Sequence, residues 1–374
     1  MIYLDYSATT PVNKDVLDSF NKVCLNYFGN PNSLHKLGTE AKSLIDSSTK
    51  QIADCLKLEK QEIIYTSGSS EANNLAIKGI ALKYQNRGKH IITTTLEHSS
   101  VIGPISYLEK IGFDIDFVPL LEDGTVDLKV LASLIRDDTI LVSICSVNSE
   151  IGIVQPIEEI AKIVKKYPKC FFHTDLTQSI GKINISLKDI DLASFSGHKI
   201  FGLKGIGALI KKEKILLEPL IHGGKSTTVF RSGTPATPLI VSLAKALRLS
   251  LVDLDKKYDY VKSLNQKLKS GLKKYSNVFI NSNDKCLPYV LNISILTIKP
   301  ETFQHALEEN DIYISTQTAC SSSDTPSKAV YAVTNNKEKA LSSLRISLAH
   351  ITKEEEIDKF LNAFDKCYNS LMLR

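Results

Sequence analysis

The chain has 374 residues, which allows two or three domains and a full hydrophobic core. Its 43% of apolar and 23% of charged residues are near the averages for globular proteins, which excludes disordered, coiled-coil and collagen-like chains. The net charge of +5 is too small over this length to predict nucleic-acid binding by itself. No apolar run approaches the roughly 20 residues that cross a bilayer, and the N-terminus lacks the basic segment of a signal peptide.

Seven cysteines are scattered along the chain without a C-x-x-C pair, so we predict neither a disulfide framework nor a metal site. Unpaired thiols are typical of a reducing compartment, and we therefore expect a cytoplasmic protein. The cysteines are Cys24, Cys55, Cys145, Cys170, Cys286, Cys320 and Cys367.

Short β-rich runs alternate with helical patterns between about residues 60 and 210. The predicted strands are residues 62–66, 90–95, 139–147, 170–174 and 205–210. The predicted helices are residues 71–85, 99–110 and 157–167. This alternation predicts an α/β fold with a largely parallel sheet and helices on both faces. Ligands of such sheets bind beyond the carboxyl ends of the strands, so those loops are the first candidates for a site.

The composition changes near residue 250, where a long lysine-rich helical pattern begins. Fewer and more widely spaced strands follow it. The predicted elements of this part are a helix at residues 254–274, strands at residues 289–295, 312–315 and 344–347, and a terminal helix at residues 354–371. We expect a second, smaller domain to begin at residue 252, and residues 1–14 could join either domain.

The sequence TSGSSE at residues 66–71 ends a predicted strand and opens a helix. Small residues let a backbone approach an anion closely, and the free N–H groups of a helix start favour a phosphate. The alternative is an ordinary helix cap by Ser69 or Ser70 that binds no ligand.

Asp175 follows an apolar strand, and Lys199 comes after a second strand, flanked by Gly197 and Gly202. A lysine at such a place can form a Schiff base with an aldehyde cofactor, and an aspartate can pair with a pyridinium nitrogen. Taken separately, Asp175 is more simply a turn residue and Lys199 a solvated surface residue.

His98, Cys320 and Arg345 are three further candidates. His98 either caps a helix or stacks on a cofactor ring and moves protons. Cys320 lies in a loop of small polar residues rather than in an apolar run, which makes it a candidate nucleophile. Arg345 could fork onto a substrate carboxylate or serve an internal ion pair.

Nine short motifs follow one another along the chain. They are Tyr3-Leu-Asp-x-x-Ala-Thr-Thr-Pro11, Gly29-Asn-Pro-x-Ser-x-His35, Thr66-Ser-Gly-x-x-Glu-Ala-Asn-Asn74, Glu97-His98, Glu150-Ile-Gly152, Asp175-x-x-Gln178, Ser196-x-His-Lys199, Arg231-Ser-Gly-Thr234 and Ala319-Cys320. This ordered set resembles the NifS/IscS-type cysteine desulfurases, which are pyridoxal-phosphate enzymes of the class V aminotransferase family. The resemblance extends from residue 3 to about residue 365, nearly the whole chain.

The resemblance implies a PLP-dependent transferase fold of type I. It implies a large cofactor domain with a mostly parallel, seven-stranded type of sheet, which we expect over residues 15–251. The smaller α+β domain would comprise residues 1–14 and 252–374 and carry the catalytic cysteine loop.

The resemblance also implies roles for individual residues. Lys199 would bind pyridoxal 5'-phosphate covalently, Asp175 would pair with its ring nitrogen and Gln178 with its phenolic oxygen. His98 would stack on the ring. The residues that would hold the phosphate are Ser69, Ser70, Ser196 and His198, with Thr234 from the second subunit of a homodimer.

Arg345 would bind the carboxylate of L-cysteine, and Cys320 would take up the substrate sulfur as a persulfide while L-alanine is released. The persulfide would supply a sulfur-acceptor protein, either an iron–sulfur scaffold or a tRNA-thiolation enzyme, and both remain open. Two departures from the usual pattern are Ser149, where an asparagine is common, and the sequence KST at residues 225–227.

Selenocysteine lyase, or another class V lyase of the same fold, is the close alternative. A sulfinate lyase or a plain aminotransferase would have no use for the Cys320 thiol. A non-catalytic scaffold would be expected to lack one of the catalytic groups. Direct nucleic-acid binding by the lysines of residues 254–274 is not expected, because Asp253, Asp255 and Asp259 interleave with them.

Overall fold

A computed structural model gives the fold and describes residues 1–316 and 325–372. The helices are α1 (Lys14–Asn26), α2 (Lys36–Cys55), α3 (Ser69–Tyr84), α4 (Ser99–Lys110), α5 (Leu128–Leu134), α6 (Ile157–Val164), α7 (Thr237–Leu251), α8 (Leu254–Leu272), α9 (Pro300–Glu308), α10 (Lys328–Thr334), α11 (Lys337–Leu341) and α12 (Glu354–Met372). The strands are β1 (Ile2–Tyr3), β2 (Gln61–Thr66), β3 (His90–Thr93), β4 (Asp114–Phe117), β5 (Thr139–Ser143), β6 (Phe171–Asp175), β7 (Leu192–Ser196), β8 (Gly207–Lys212), β9 (Val278–Ile280), β10 (Val290–Ile295), β11 (Ile312–Tyr313) and β12 (Ser343–Ser347).

The main sheet has seven strands in the order β2-β8-β7-β6-β5-β3-β4. Strands β4, β3, β5, β6 and β7 pair in parallel, whereas β8 is antiparallel to both of its neighbours. The predicted α/β fold with a mostly parallel sheet is confirmed. The last strand of the series departs from the parallel pattern because a short return without a crossover helix joins β7 to β8, and such a return gives antiparallel pairing.

Each face of this sheet is covered by its own hydrophobic core. Ile91 and Leu209 belong to one core, whereas their chain neighbours Ile92 and Ile210 belong to the other. Successive strand residues point to opposite faces, so apolar runs without alternation are what a sheet buried on both faces requires.

A second layer of structure is built around a separate core. Strands β9, β10 and β12 form an antiparallel sheet in the order β12-β10-β9, and β1 pairs in parallel with β11. Side chains of the N-terminus, α8 and α12 fill the same core, including Leu4, Val261 and Phe364. Residues 1–4 therefore pack with the C-terminal part of the chain.

Several sequence-predicted elements differ from the structure. The strand predicted to reach residue 147 ends at Ser143. The elements for which no range was predicted include β1, α1, α2, β4, α5, α7, β9 and the short helices α9, α10 and α11. β4 is an edge strand of sequence DIDF whose charged residues hide the strand pattern. No helix of the described residues is long and apolar enough to cross a membrane.

Candidate active site

Asp175 ends β6 near the middle of the main sheet. The residue is buried, and its Oδ1 accepts a hydrogen bond of 2.8 Å from the backbone N–H of Thr177. Its Oδ2 accepts a second bond of 2.8 Å from Nδ2 of Asn73. Donors on both oxygens fix the orientation of this carboxylate beyond the strand end.

Lys199 is brought to the same edge by the neighbouring strand. β7 runs parallel to β6 and continues directly into a 3-10 turn, Gly197–Lys199. The Lys199 amine donates a hydrogen bond of 2.7 Å to the carbonyl oxygen of Ala8 and another to that of Ser7. The ends of two adjacent strands therefore carry the aspartate and the lysine, and the N-terminal segment covers the lysine.

Gln178 joins this group from the turn after β6. Its Nε2 donates a hydrogen bond of 3.0 Å to the carbonyl oxygen of Ser7, the same oxygen that accepts from Lys199. The structure thus brings Gln178 and Lys199 to one carbonyl oxygen, beside the strand end that carries Asp175.

Residues 7–10, here called the wall, pack over the turn Gly197–Lys199 that carries the lysine. Thr10 donates through its backbone N–H and through its hydroxyl to the carbonyl oxygen of His198, both at 2.9 Å. The hydroxyl oxygen of Thr9 lies 3.1 Å from Nδ1 of His198. Burial, followed by the charges of nearby lysines, lowers the pKa of His198 to about 4, so its ring is neutral near pH 7.

His98 is the N-cap of α4. Its Nδ1 accepts from the backbone N–H of Ser100 at 3.1 Å, so the proton of the neutral ring lies on Nε2. Burial lowers the pKa of His98; Asp175 opposes this shift, while Lys199 and Arg345 add to it. The capping role considered as an alternative is present, and it fixes which ring nitrogen can donate a proton.

The start of α3 forms a small-residue cradle beyond β2. Gly68 is the N-cap, so the alternative cap by Ser69 or Ser70 is wrong, and both serines lie inside the first turn. Gly68 has no side chain with which to cap the helix. It lies close to Ser196, because a Cβ atom added to Gly68 would be 3.6 Å from Oγ of Ser196. Helix N–H groups beside small hydroxyl residues suit a phosphate.

Arg231 connects the loop of Thr234 to this helix start. Glu71 accepts from the backbone N–H of Ser67 at 2.7 Å and from Nε of Arg231 at 2.9 Å. Burial raises the pKa of Glu71, but these hydrogen bonds outweigh it and leave the pKa lowered. Thr234 itself is exposed.

Arg345 lies on β12 with only 3% of its side chain exposed. One Nη donates to the carbonyl oxygen of Ser149 at 3.1 Å, and the other donates to Oδ1 of Asp5 at 2.9 Å. Its Nε is buried without a hydrogen-bond partner among residues 1–316 and 325–372. The internal ion pair considered as an alternative is present, and a guanidinium N–H remains for a further acceptor.

Some buried polar residues near the site escaped the sequence analysis. Asn73 links Asp175 to Ser100, and Glu97 is half-buried with its Oε2 shielded from solvent. Oε1 of Glu97 accepts from the backbone N–H of Cys145 at 2.8 Å, and burial raises the pKa of its carboxyl to about 8. Only the positions of Asn73 and Glu97 inside two motifs pointed to them.

These residues fit pyridoxal phosphate. An amine, a fixed carboxylate and an uncapped helix start lie at the ends of three strands of one sheet, β7, β6 and β2. Their chemistry matches an aldehyde, a ring nitrogen and a phosphate. In the described part of the chain, no group of three or more His, Cys, Asp or Glu residues is arranged to hold a metal ion. Cys320 lies outside the described residues.

The sequence profile of the aminotransferase class-V family matches residues 2–360. The cysteine desulfurase IscS of Colwellia psychrerythraea is 43% identical over 366 residues, which cover 96% of this chain and 90% of that protein. A NifS-like protein of known structure has a TM-score of 0.92 at 34% identity, covering 98% of this chain and 99% of its own. The structure of SspA in complex with cysteine has a TM-score of 0.82 at 35% identity, covering 94% and 100%. The chain therefore belongs to the class-V aminotransferase family, among the NifS/IscS-like cysteine desulfurases.

Proposed function

We propose that this chain uses pyridoxal 5'-phosphate to convert L-cysteine to L-alanine and deposits the sulfur on Cys320. The observation that carries the proposal is the placement of Asp175 and Lys199 at adjacent strand ends. When bound, the cofactor supplies an electron sink for charge that develops beside the α-carbon of the substrate.

Lys199 would hold the cofactor aldehyde and carry protons at Nζ. Asp175 would keep the ring nitrogen protonated, and its two hydrogen bonds support a fixed carboxylate in that role. His98, protonated at Nε2, would face the ring and donate from that nitrogen. A neutral imidazole suits this role because it adds no positive charge beside a cationic ring.

The phosphate would lie at the start of α3. The groups that would contact it are Ser69, Ser70, Ser196 and His198, with Thr234 of a second subunit. A homodimer is part of the proposal, because Thr234 is exposed on a loop anchored to the helix start through Arg231.

Arg345 would bind the carboxylate of L-cysteine. Its buried Nε without a partner among the described residues supports this role, since a guanidinium recognises a carboxylate through paired N–H groups. Asp5 and the carbonyl of Ser149 would hold it in place.

The Cys320 thiolate would attack the substrate sulfur, so that the carbon–sulfur bond breaks and a sulfur–sulfur bond forms on the enzyme. The persulfide would then pass its outer sulfur to an acceptor protein, an iron–sulfur scaffold or a tRNA-thiolation enzyme. A cytoplasmic location is part of the proposal. The described cysteines are free thiols, which supports it.

The division into residues 15–251 and residues 1–14 with 252–374 also belongs to the proposal. α7 packs in the core of the main sheet, whereas α8 packs in the core around β10. These separate cores support a boundary between Leu251 and Leu254.

The test is alanine and sulfide release from L-cysteine with a reductant, for wild type, Lys199→Ala and Cys320→Ala. Wild type should release equal amounts of both products, and each variant should release neither. Alanine at the wild-type rate from Cys320→Ala would remove that thiol from the mechanism. If the wild-type protein binds the cofactor but leaves L-cysteine unchanged, the proposal that L-cysteine is the substrate is wrong.

A further inference from the structure

Lys182 is a buried lysine that the proposed chemistry does not use. It follows Gln178 on the turn after β6, and only 8% of it is exposed. Burial lowers the pKa of Lys182 to about 7, and Lys199 and Arg345, the charged groups that act on it, are both cations. Burying an amine is costly unless its N–H groups are used, so its contacts indicate its role.

The amine of Lys182 contacts Gln178 directly. Nζ donates a hydrogen bond of 2.9 Å to Oε1 of Gln178, and the ring of Tyr289 lies 5.9 Å from Nζ. At the other end of the same amide, Nε2 of Gln178 donates to the carbonyl oxygen of Ser7, which also accepts from Lys199. Lys182 and Lys199 also line one small cavity of about 20 Å³.

An amide side chain can turn over and exchange its oxygen with its nitrogen. Here both neighbours select one orientation, because Lys182 donates to the oxygen and Ser7 accepts from the nitrogen. The opposite orientation would set the amide oxygen of Gln178 against the carbonyl oxygen of Ser7.

The turn that carries Gln178 and Lys182 is fixed against α7. Gly181 has a φ of +71°, and a Cβ there would lie 2.5 Å from Oγ of Ser250. Only glycine fits this close approach in a left-handed conformation. The distance between the lysine and the amide is therefore set by a rigid turn.

We propose that Lys182 is a positioning residue that holds the Gln178 amide with its N–H groups toward Lys199, where the phenolic oxygen of the bound cofactor would accept. The proposal rests on the proposed function, since it assumes pyridoxal phosphate on Lys199. Without the lysine, the Gln178 oxygen loses its donor, and the amide no longer favours one orientation.

The test titrates the visible absorption of the cofactor-loaded protein with pH in wild type, Gln178→Leu, Lys182→Met and the double variant. A donor to the phenolic oxygen stabilises its negative charge, so its loss should raise the midpoint, by on the order of one pH unit in Gln178→Leu. Lys182→Met should shift the midpoint in the same direction. The double variant should match Gln178→Leu, because Lys182 acts through Gln178.

Two results would overturn the proposal. In the first, Lys182→Met keeps the wild-type midpoint while Gln178→Leu shifts it. In the second, the Lys182→Met shift persists at full size in the Gln178→Leu background, which would assign the effect to the lost charge. If the wild-type protein shows no visible absorption that depends on Lys199, the proposed cofactor is wrong. Failure of the proposed function can therefore be distinguished from failure of the role proposed for Lys182.

Lys211→Met is the matched control. Lys211, on β8, is also buried, but its Nζ lies 2.8 Å from Oε2 of Glu62 on β2 and it has no hydrogen bond to Gln178. This variant should lose stability without moving the midpoint. If Lys182→Met does not fold, Lys182→Leu takes its place, because leucine also has no hydrogen-bond donor for Oε1 of Gln178.

Discussion

Nδ2 of Asn73, on helix α3, donates a hydrogen bond of 2.8 Å to Oδ2 of Asp175, at the end of strand β6. The same nitrogen donates to Oγ of Ser100 at 2.9 Å, and that hydroxyl lies 2.8 Å from Nδ1 of His98. Asn73 is completely buried. One amide therefore connects the carboxylate proposed for the ring nitrogen with the histidine proposed to face the ring.

Replacing Asn73 by alanine should destabilise the protein and weaken cofactor binding. The change leaves Oδ2 of Asp175 and Oγ of Ser100 without the donor that Asn73 supplies, while Thr177 still donates to Oδ1 of Asp175. An unsatisfied acceptor in a buried place costs about 1–3 kcal/mol. Urea unfolding of the cofactor-free and loaded forms measures both effects. Asn26→Ala is the control, since Asn26 is an exposed asparagine on α1, and equal stability of the two variants would contradict the prediction.

Asp5→Ala should lower the free energy of unfolding by about 3 kcal/mol, because it leaves the buried guanidinium of Arg345 without its carboxylate. The double variant Asp5→Ala/Arg345→Met should recover part of this loss, since no unpaired charge remains. Denaturant unfolding of the set gives the coupling energy. A double variant as unstable as the sum of both single changes would show that the pair does not act as a unit.

Glu97 should make stability fall as pH rises from about 5 to about 8. The pKa of its carboxyl is raised by burial from its ordinary value to about 8, so in this range the folded state holds a proton that the unfolded state has lost. The contribution is fully present below the ordinary pKa and disappears as pH passes the raised one. Its slope approaches about 1.4 kcal/mol per pH unit.

Glu97→Gln keeps the acceptor that Cys145 uses but cannot ionise. The free energy of unfolding of Glu97→Gln in urea, relative to that of wild type, should therefore increase between pH 5 and pH 8. Glu109→Gln, at an exposed position of α4, should follow the wild-type curve. Parallel curves for wild type and Glu97→Gln would exclude a protonated Glu97 in the folded state.

Mixed dimers test whether Thr234 serves the second subunit. A dimer of one Lys199→Ala subunit with one Thr234→Val subunit keeps one intact site only if Thr234 acts across the interface. Mixing the inactive Lys199→Ala variant with Thr234→Val should then restore up to about half of the wild-type activity in each mixed dimer, because one of its two sites is intact. No gain on mixing, with mixed dimers verified, would place Thr234 in its own subunit's site.

The sequence predicts those parts of the protein that depend on local pattern. The bounds of α4 match the expected helix, and Asp175 and Lys199 lie at neighbouring strand ends because the strands that carry them are parallel. The sequence did not decide which group Arg345 contacts, because its partner Asp5 lies 340 residues away in the chain. Long-range pairing of this kind depends on how the two cores pack together, which hydrophobic periodicity does not encode.

The role of Lys182 was equally hidden. A single lysine in a turn is an ordinary surface pattern. The burial of Lys182 follows only from how the turn after β6 packs on α7. The alternative prediction for the N-cap of α3 was wrong for a local reason. Serines are good N-cap residues, but the helix begins one residue earlier than that prediction assumed, so that Gly68 is the N-cap.

The wall that residues 7–10 build over Lys199 depends on the other end of the chain. The backbone N–H of Ser7 donates to Oγ of Ser347 at 2.9 Å, and Asp5 is held by Arg345 on the same strand. During synthesis on the ribosome, residues 5–7 emerge long before β12, so they have no anchor until residues 343–347 have been made. The pocket around the lysine can therefore be completed only after the whole main sheet, whose strands end at Lys212, has been synthesised.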